Sequence, residues 1–218
     1  MFPLPLHMYF EIAALLVCLL FWKRIDNTRL KWFLPFMILI VSVELTGRYF
    51  KKELGKNEYN QMLYNISIPI EYQFYAYIFL LHYRTVLFKK VIRIFFIAFS
   101  TFVLLNILFI QGFREHNTNI VKAGTLLMIV FSCFYFSDLI NEEGEKHLFR
   151  YPMFWIATGV LLFNAGEFLF SISIDYLYDK FPKETFKVFA SIIFKLICVL
   201  YTCISIAVLC SERRPQKV

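Results

Sequence analysis

Seven runs of apolar residues, each roughly 20 long, alternate with short polar stretches along the chain. About 20 apolar residues are what an α-helix needs to cross a bilayer core of about 30 Å. The runs predict helices near 5–22, 32–50, 61–83, 91–112, 119–140, 151–173 and 187–210. The clearest are Tyr151–Ile174, 24 residues with Glu167 as the one charge, Tyr59–Tyr83 with Glu71, and Ile94–Phe113 with no charge. The second and fifth read as weaker: 16 residues lie between Lys31 and Arg48 and 15 between Lys122 and Asp138. Such helices need snorkelling ends or neighbours in order to span.

Composition turns this pattern into a class. Of 218 residues, 59% are hydrophobic and 18% charged, and the mean hydropathy is +0.60, which excludes an ordinary soluble enzyme. Seven spans leave about 78 residues for loops and tails, so a second folded domain does not fit. The expectation is an all-α integral membrane protein: one seven-transmembrane-helix domain, 1–218, in a cell membrane, the bacterial inner membrane for preference. Met1–Trp22 has no positive leader and no small-residue cleavage site before Lys23 and Arg24, and reads as a retained first helix.

The net charge of +7 sits in clusters between apolar runs, the pattern of topology signals and not of a nucleic-acid surface. With the N-terminus outside, Lys23, Arg24, Arg29, Lys31, Arg84, Lys89, Lys90, Arg93, Lys146, Arg150, Arg213, Arg214 and Lys217 lie on the cytoplasmic side. That is the larger share of the cations and predicts a cytoplasmic C-terminus.

Candidate chemistry lies in the ionisable residues within the spans: Glu11, Glu44, Arg48, Glu71, Lys122, Glu167 and Lys195. Each is costly at a helix centre unless it faces protein or water. With this topology they fall in the outer half or near mid-membrane, which predicts a polar cavity open to the outside. Steps of three and four residues put Ser67, Glu71 and Tyr75 on one face, Asn164, Glu167 and Ser171 on another, and Ser191, Lys195, Cys198, Thr202 and Ser205 on a third. Lys122 shares a face with Thr125 and Ser132, and Glu11 with His7 and Cys18. The candidate ligand contacts are therefore Glu71, Glu167, Asn164, Lys195, Tyr75, Glu44, Arg48, Lys122 and Glu11. A structural alternative stands beside this: Glu44 and Arg48 form an i, i+4 pair in the favourable order, and Lys195 is available to neutralise Glu71 or Glu167. Tyr64, Tyr72, Tyr75 and Tyr77 fit an aromatic pocket or ordinary packing.

Other chemistries lack their residues. Four histidines, none in an HxxxH or HExxH arrangement, argue against metal hydrolysis, haem ligation and Ser/His catalysis. No cofactor motif is present, and the five cysteines, all in or beside apolar runs, read as packing residues. Pro35 and Pro152 open the second and sixth runs, but Glu44 and Glu167 follow them at different distances, against an internal repeat. Lys195 in the last helix is the only feature shared with retinal proteins.

The runs Ile68-Pro-Ile-Glu71-Tyr-Gln-Phe-Tyr75 and Phe154-Trp155-Ile-Ala-Thr-Gly159-Val-Leu-Leu-Phe163-Asn164 resemble uncharacterised bacterial seven-helix membrane modules of the sensor type, some standing alone and some ahead of histidine kinases. The resemblance implies a sensor or receptor-like bundle that binds a small polar ligand or ion and signals through a separate cytoplasmic or membrane protein, since only Ser211–Val218 follow Cys210. The alternative is a small-solute or proton-coupled transporter, channel or partner-controlled pore. Lipid enzymology, with Glu71 or Glu167 as acid or base, ranks third.

Overall fold

The computed structural model describes residues 4–141, 148–180 and 183–211. All seven apolar runs are helical, and no strand occurs among the described residues. The helices are α1 (Leu6–Leu20), the single turn α2 (Trp22–Ile25), α3 (Phe33–Arg48), α4 (Asn57–His82), α5 (Val86–Leu105), α6 (Thr118–Ile140), α7 (Pro152–Lys180) and α8 (Lys183–Leu209). α3 and α5 each continue into one π-helical turn, Tyr49–Glu53 and Asn106–Ile110. The chain then reverses at Gly55 (φ +64°) and near Gly112 (φ +80°), backbone conformations that glycine adopts without strain.

Local chemistry explains the helix starts. Pro152 opens α7, where its missing N–H has no intrahelical partner to lose. Asp138, near the end of α6, accepts hydrogen bonds from the backbone N–H of Arg84 (3.1 Å) and Thr85 (3.3 Å) and from the Thr85 hydroxyl. Thr85, the N-cap residue of α5, makes no cap bond of its own, and Asp138 of the neighbouring helix instead fixes the backbone where α5 starts. Asp138→Ala is expected to cost about 1 kcal/mol, read as a lower midpoint of unfolding in mixed micelles.

Five segments are long and apolar enough to cross a membrane: Arg29–Glu53, Val86–Ile110, Thr118–Ile140, Pro152–Ser173 and Val188–Leu209. The chain is therefore a multi-pass membrane protein by length and composition. The second and fifth runs, which read as weaker in the sequence, are both among the five. α4 is not, although its run read as one of the clearest, because Asn65, Glu71, Gln73 and the tyrosines Tyr64, Tyr72, Tyr75 and Tyr77 interrupt the apolar run itself. α1 is apolar but has only 15 residues.

The helices pack as a closed circuit, α1–α3–α4–α6–α7–α8 and back to α1, with α5 laid mainly against α4. The span Val86–Ile110 is the least buried of the five at 28%, and Ile94, Ile97, Leu104, Leu108 and Phe109 are exposed along it, as a lipid-facing helix requires. α7 and α8 approach through small residues. A Cβ on Gly159 would lie 2.8 Å from Cys203 Cβ, and one on Gly166 2.1 Å from Leu196 Cδ1. This is close backbone contact of the kind that drives helix association where lipid removes the hydrophobic incentive.

One end of the bundle is tied together by polar contacts to backbone. The Ser211 hydroxyl bonds the Arg24 carbonyl (3.5 Å), Arg29 the Leu81 carbonyl, and the Cys210 thiol the Phe149 carbonyl (3.6 Å). With the Asp138 cap, these place Arg24, Arg29, Arg84 and Arg150 at the same end, hereafter the basic end.

Candidate functional site: four glutamates on inward helix faces

Each of Glu11, Glu44, Glu71 and Glu167 stands on the buried stripe of its own helix. Glu11 shares the α1 stripe with His7, Ala14 and Cys18, and Glu44 the α3 stripe with Met37, Ile40 and Gly47. Glu71 lies with Ser67, Tyr75 and Ile78 on α4, and Glu167 with Val160, Asn164 and Ser171 on α7. The steps of three and four residues aim all four carboxylates into the circuit. Glu11 is buried, at 3% exposure, but Glu44, Glu71 and Glu167 are only half-buried. These three keep part of their surface accessible while standing on the buried stripes of their helices.

The four lie near one level. Counted from Lys23, Lys31, Arg84 and Arg150 at the basic end, they stand 12, 13, 13 and 17 residues into the bundle. That is about 18 to 25 Å at roughly 1.5 Å per residue. They also share one electrostatic environment: Glu11 feels Glu44 and Glu71, and Glu71 feels Glu44 and Glu167.

Tyrosines fill the spaces between the acids. The Tyr64 hydroxyl donates to Glu44 Oε1 at 2.9 Å and lies within electrostatic reach of Glu11 and Glu71. Tyr75 is coupled to Glu71 and Glu11, Tyr72 to Glu167 and Glu71, and Tyr201 of α8 to Glu71, Glu11 and Glu44. Tyr72, Tyr75 and Tyr201 are all buried. Two atoms in this region have no hydrogen-bond partner, the Tyr75 hydroxyl and Asn164 Oδ1. The other end of the Asn164 amide is used, Nδ2 donating to the Val160 carbonyl at 2.8 Å.

The sequence-derived cations are arranged differently. Lys195 is exposed. Nine residues from the fully buried Ile204, it lies on the opposite side of α8, since each residue advances about 100°. Lys122 is half-buried on the flank of the α6 stripe formed by Val121, Gly124 and Met128, and Arg48 is half-buried one turn beyond Glu44. The glutamates, Asn164 and Tyr75 come together. Lys195 does not join them, so it does not neutralise Glu71 or Glu167.

The inward face of α8 was misassigned for a physical reason. Thr202, exposed, bonds the Cys198 carbonyl (2.7 Å), and the Ser205 hydroxyl bonds the Tyr201 carbonyl (2.8 Å). Hydroxyls satisfied four residues back in their own helix can face lipid, so polar identity was a poor guide there. The stripe Leu200, Tyr201, Ile204, Ala207 and Val208 is the buried one, and it brings in Tyr201.

Among the described residues, no group of three His, Cys, Asp or Glu is placed to hold a metal ion. No protein-family model matches the chain, and no curated protein or solved structure matches it significantly.

Proposed function

We propose that the chain is a receptor-like bundle of the bacterial inner membrane that binds a small polar ligand at its inward-facing glutamates and signals through a separate protein. In this reading all seven long helices span, with the N-terminus outside and the basic end in the cytoplasm. The observation that carries it is the gathering of Glu11, Glu44, Glu71 and Glu167, from four helices, at one level on inward faces. Intramembrane carboxylates are too costly to be kept without a pairing or binding role, and here they lie within electrostatic reach of one another and of tyrosine hydroxyls. α1 and α4 cross because the circuit covers them on both flanks, and the cations at the basic end meet the rule for cytoplasmic loops. The basic end is then the surface offered to the partner.

Transport is the second reading, favoured by the position of the acids well inside the bundle. Two measurements on proteoliposomes separate them. A receptor gives no proton or solute flux above empty vesicles, while a membrane-impermeant thiol reagent applied from outside labels Glu167→Cys, at a half-buried position, above the wild-type background. Flux in the wild type that Glu71→Gln abolishes, with the mutant still folded, makes the protein a transporter or channel.

A further inference from the structure

We propose that the side of the bundle where α4 lies between α3 and α5 holds an anionic phospholipid at the basic end, its phosphate between Arg29 and Arg93 and its acyl chains along Ile66 and Ile70. This goes beyond the receptor reading and needs only that α3 and α5 cross the membrane.

α4 packs on α3 along one flank and on α5 along another. Ile66, Ile70, Gln73, Tyr77 and Leu81 follow one another at steps of three and four residues and so form one stripe. Ile66 and Ile70 are exposed, and the other three are half-buried. The stripe has a wall on each side. Gln73 Nε2 donates to the Ser100 hydroxyl of α5 at 2.9 Å, and Tyr77 meets the ring of Trp32, just before α3, edge-on with centroids 6.2 Å apart.

Two arginines converge on its basic end. Arg29 bonds the Leu81 carbonyl, which fixes its guanidinium at the last turn of the stripe. Arg93 lies seven residues, two helical turns, before Ser100 and therefore on the same flank of α5. The antiparallel register set by Gln73 with Ser100, and by Tyr83 with Phe88 (ring centroids 5.7 Å), puts Arg93 level with residues 78–80 of α4, within a turn of Leu81. Lys89 precedes Arg93 by one turn on that flank, and Lys31 Nζ stands 5.4 Å from the Trp32 ring centroid. The acids near this end do not neutralise them. Asp26 accepts from the Asn27 N–H (2.7 Å) and Asp138 from the Arg84 and Thr85 N–H groups. Among the described residues, none of Arg29, Lys31, Lys89 and Arg93 is in an ion pair.

Depth identifies the anion. Arg93 stands seven residues into the span Val86–Ile110, about 10 Å at roughly 1.5 Å per residue. Val86 and Leu87 are exposed before it, and Ile94 and Ile97 after it. A cation within a lipid-exposed apolar stretch extends its stem to the headgroup phosphates, the level at which Trp and Tyr, here Trp32 and Tyr77, gather. A soluble anion has to pass the apolar turn of Val86 and Leu87, whereas a phospholipid enters sideways and lays its chains on Ile66 and Ile70. Four unpaired cations favour a lipid of net negative charge over a zwitterionic one.

The test is native mass spectrometry of the full chain in detergent micelles, titrated with dioleoyl phosphatidylglycerol, dioleoyl phosphatidylcholine and the soluble headgroup glycerophosphoglycerol. Phosphatidylglycerol is expected to bind about tenfold more tightly than phosphatidylcholine, and the soluble headgroup not to displace it. Arg93→Gln, which removes no hydrogen bond or ion pair among the described residues, should weaken phosphatidylglycerol about fivefold. Adding Arg29→Gln should bring it to the phosphatidylcholine level, while Arg150→Gln, at the same end but before α7, should leave it unchanged. Melting temperatures report the fold of each variant. An affinity unchanged in Arg93→Gln overturns the proposal, as does equal binding of the two lipids. Equal weakening by Arg150→Gln overturns it too, making the preference a property of the whole basic end. Displacement by glycerophosphoglycerol replaces the lipid with a free phosphodiester. None of these outcomes touches the receptor reading, which the flux and thiol-labelling measurements judge.

Discussion

Asn106→Leu is expected to lower the free energy of unfolding by about 3 kcal/mol or more, as several buried polar groups lose partners at about 1–3 kcal/mol each. Asn106 is fully buried at the start of the second π-helical turn. Its Nδ2 donates to Gln111 Oε1 (3.1 Å) and Asn117 Oδ1 (2.9 Å), and its Oδ1 accepts from Asn119 Nδ2 (3.2 Å). Leucine fills a similar volume but takes the bond partner from Asn117 Oδ1 and Asn119 Nδ2, while Gln111 Oε1 keeps only the Asn119 backbone N–H (3.0 Å). The network continues through Gln111 to the Thr118 hydroxyl (2.9 Å) and from Asn117 to the Gly112 carbonyl (3.2 Å). From α4, Asn65 holds the Phe113 and Glu115 carbonyls at 2.8 Å each. The link between α5 and α6 is thus clamped by amides. Unfolding in mixed micelles should show the loss, with faster proteolysis between Gln111 and Thr118. Adding Asn117→Leu should cost less than it does alone, because the pair shares a bond. A full additive loss would show that the network is not a unit.

Gly124→Ala is expected to cost about 1–3 kcal/mol, the range for overpacking a filled interior. The added Cβ would sit 2.2 Å from Tyr72 Cε2, 2.3 Å from Cδ2 and 2.7 Å from Cζ. Tyr72 is 6% exposed and meets Phe99 edge-on with ring centroids 5.9 Å apart, so the ring has nowhere to turn. Gly166→Ala places its Cβ equally close to a neighbour, but that neighbour is the mobile tip of Leu196, and the cost should be smaller. Tyr72→Leu should relieve most of the Gly124→Ala penalty. Unfolding midpoints of the two single variants and the double variant decide it, and additivity would mean that the ring and the glycine do not meet.

The helices were legible because membrane-length apolar runs are strong signals. Ends were less so: α4 starts at Asn57 and α5 at Val86, each several residues before its apolar run, because caps and loop contacts come from other helices. Four of the five polar stripes are inward in the fold, and the acidic residues on them met the expectation that charge avoids lipid. Lys195 met the opposite fate because a long amine with an apolar stem can reach the headgroups, whereas Glu71, with a short stem, has no such route. Tyr201 was invisible among the apolar residues around it. The amide clamp was overlooked because Asn106, Gln111, Asn117 and Asn119 sit at the edge of a span, where polarity reads as a loop.

The closure of the ring by α1 against α8 carries a consequence for biogenesis. α1, which carries Glu11, is made well before α8, the helix that completes its enclosure. Until α8 follows, α1 has α3 on one flank and no partner on the other, and its acid is expected to need shelter from the insertion machinery. Nascent chains arrested before Val188 should therefore keep α1 crosslinked to that machinery, and release should coincide with the arrival of α8.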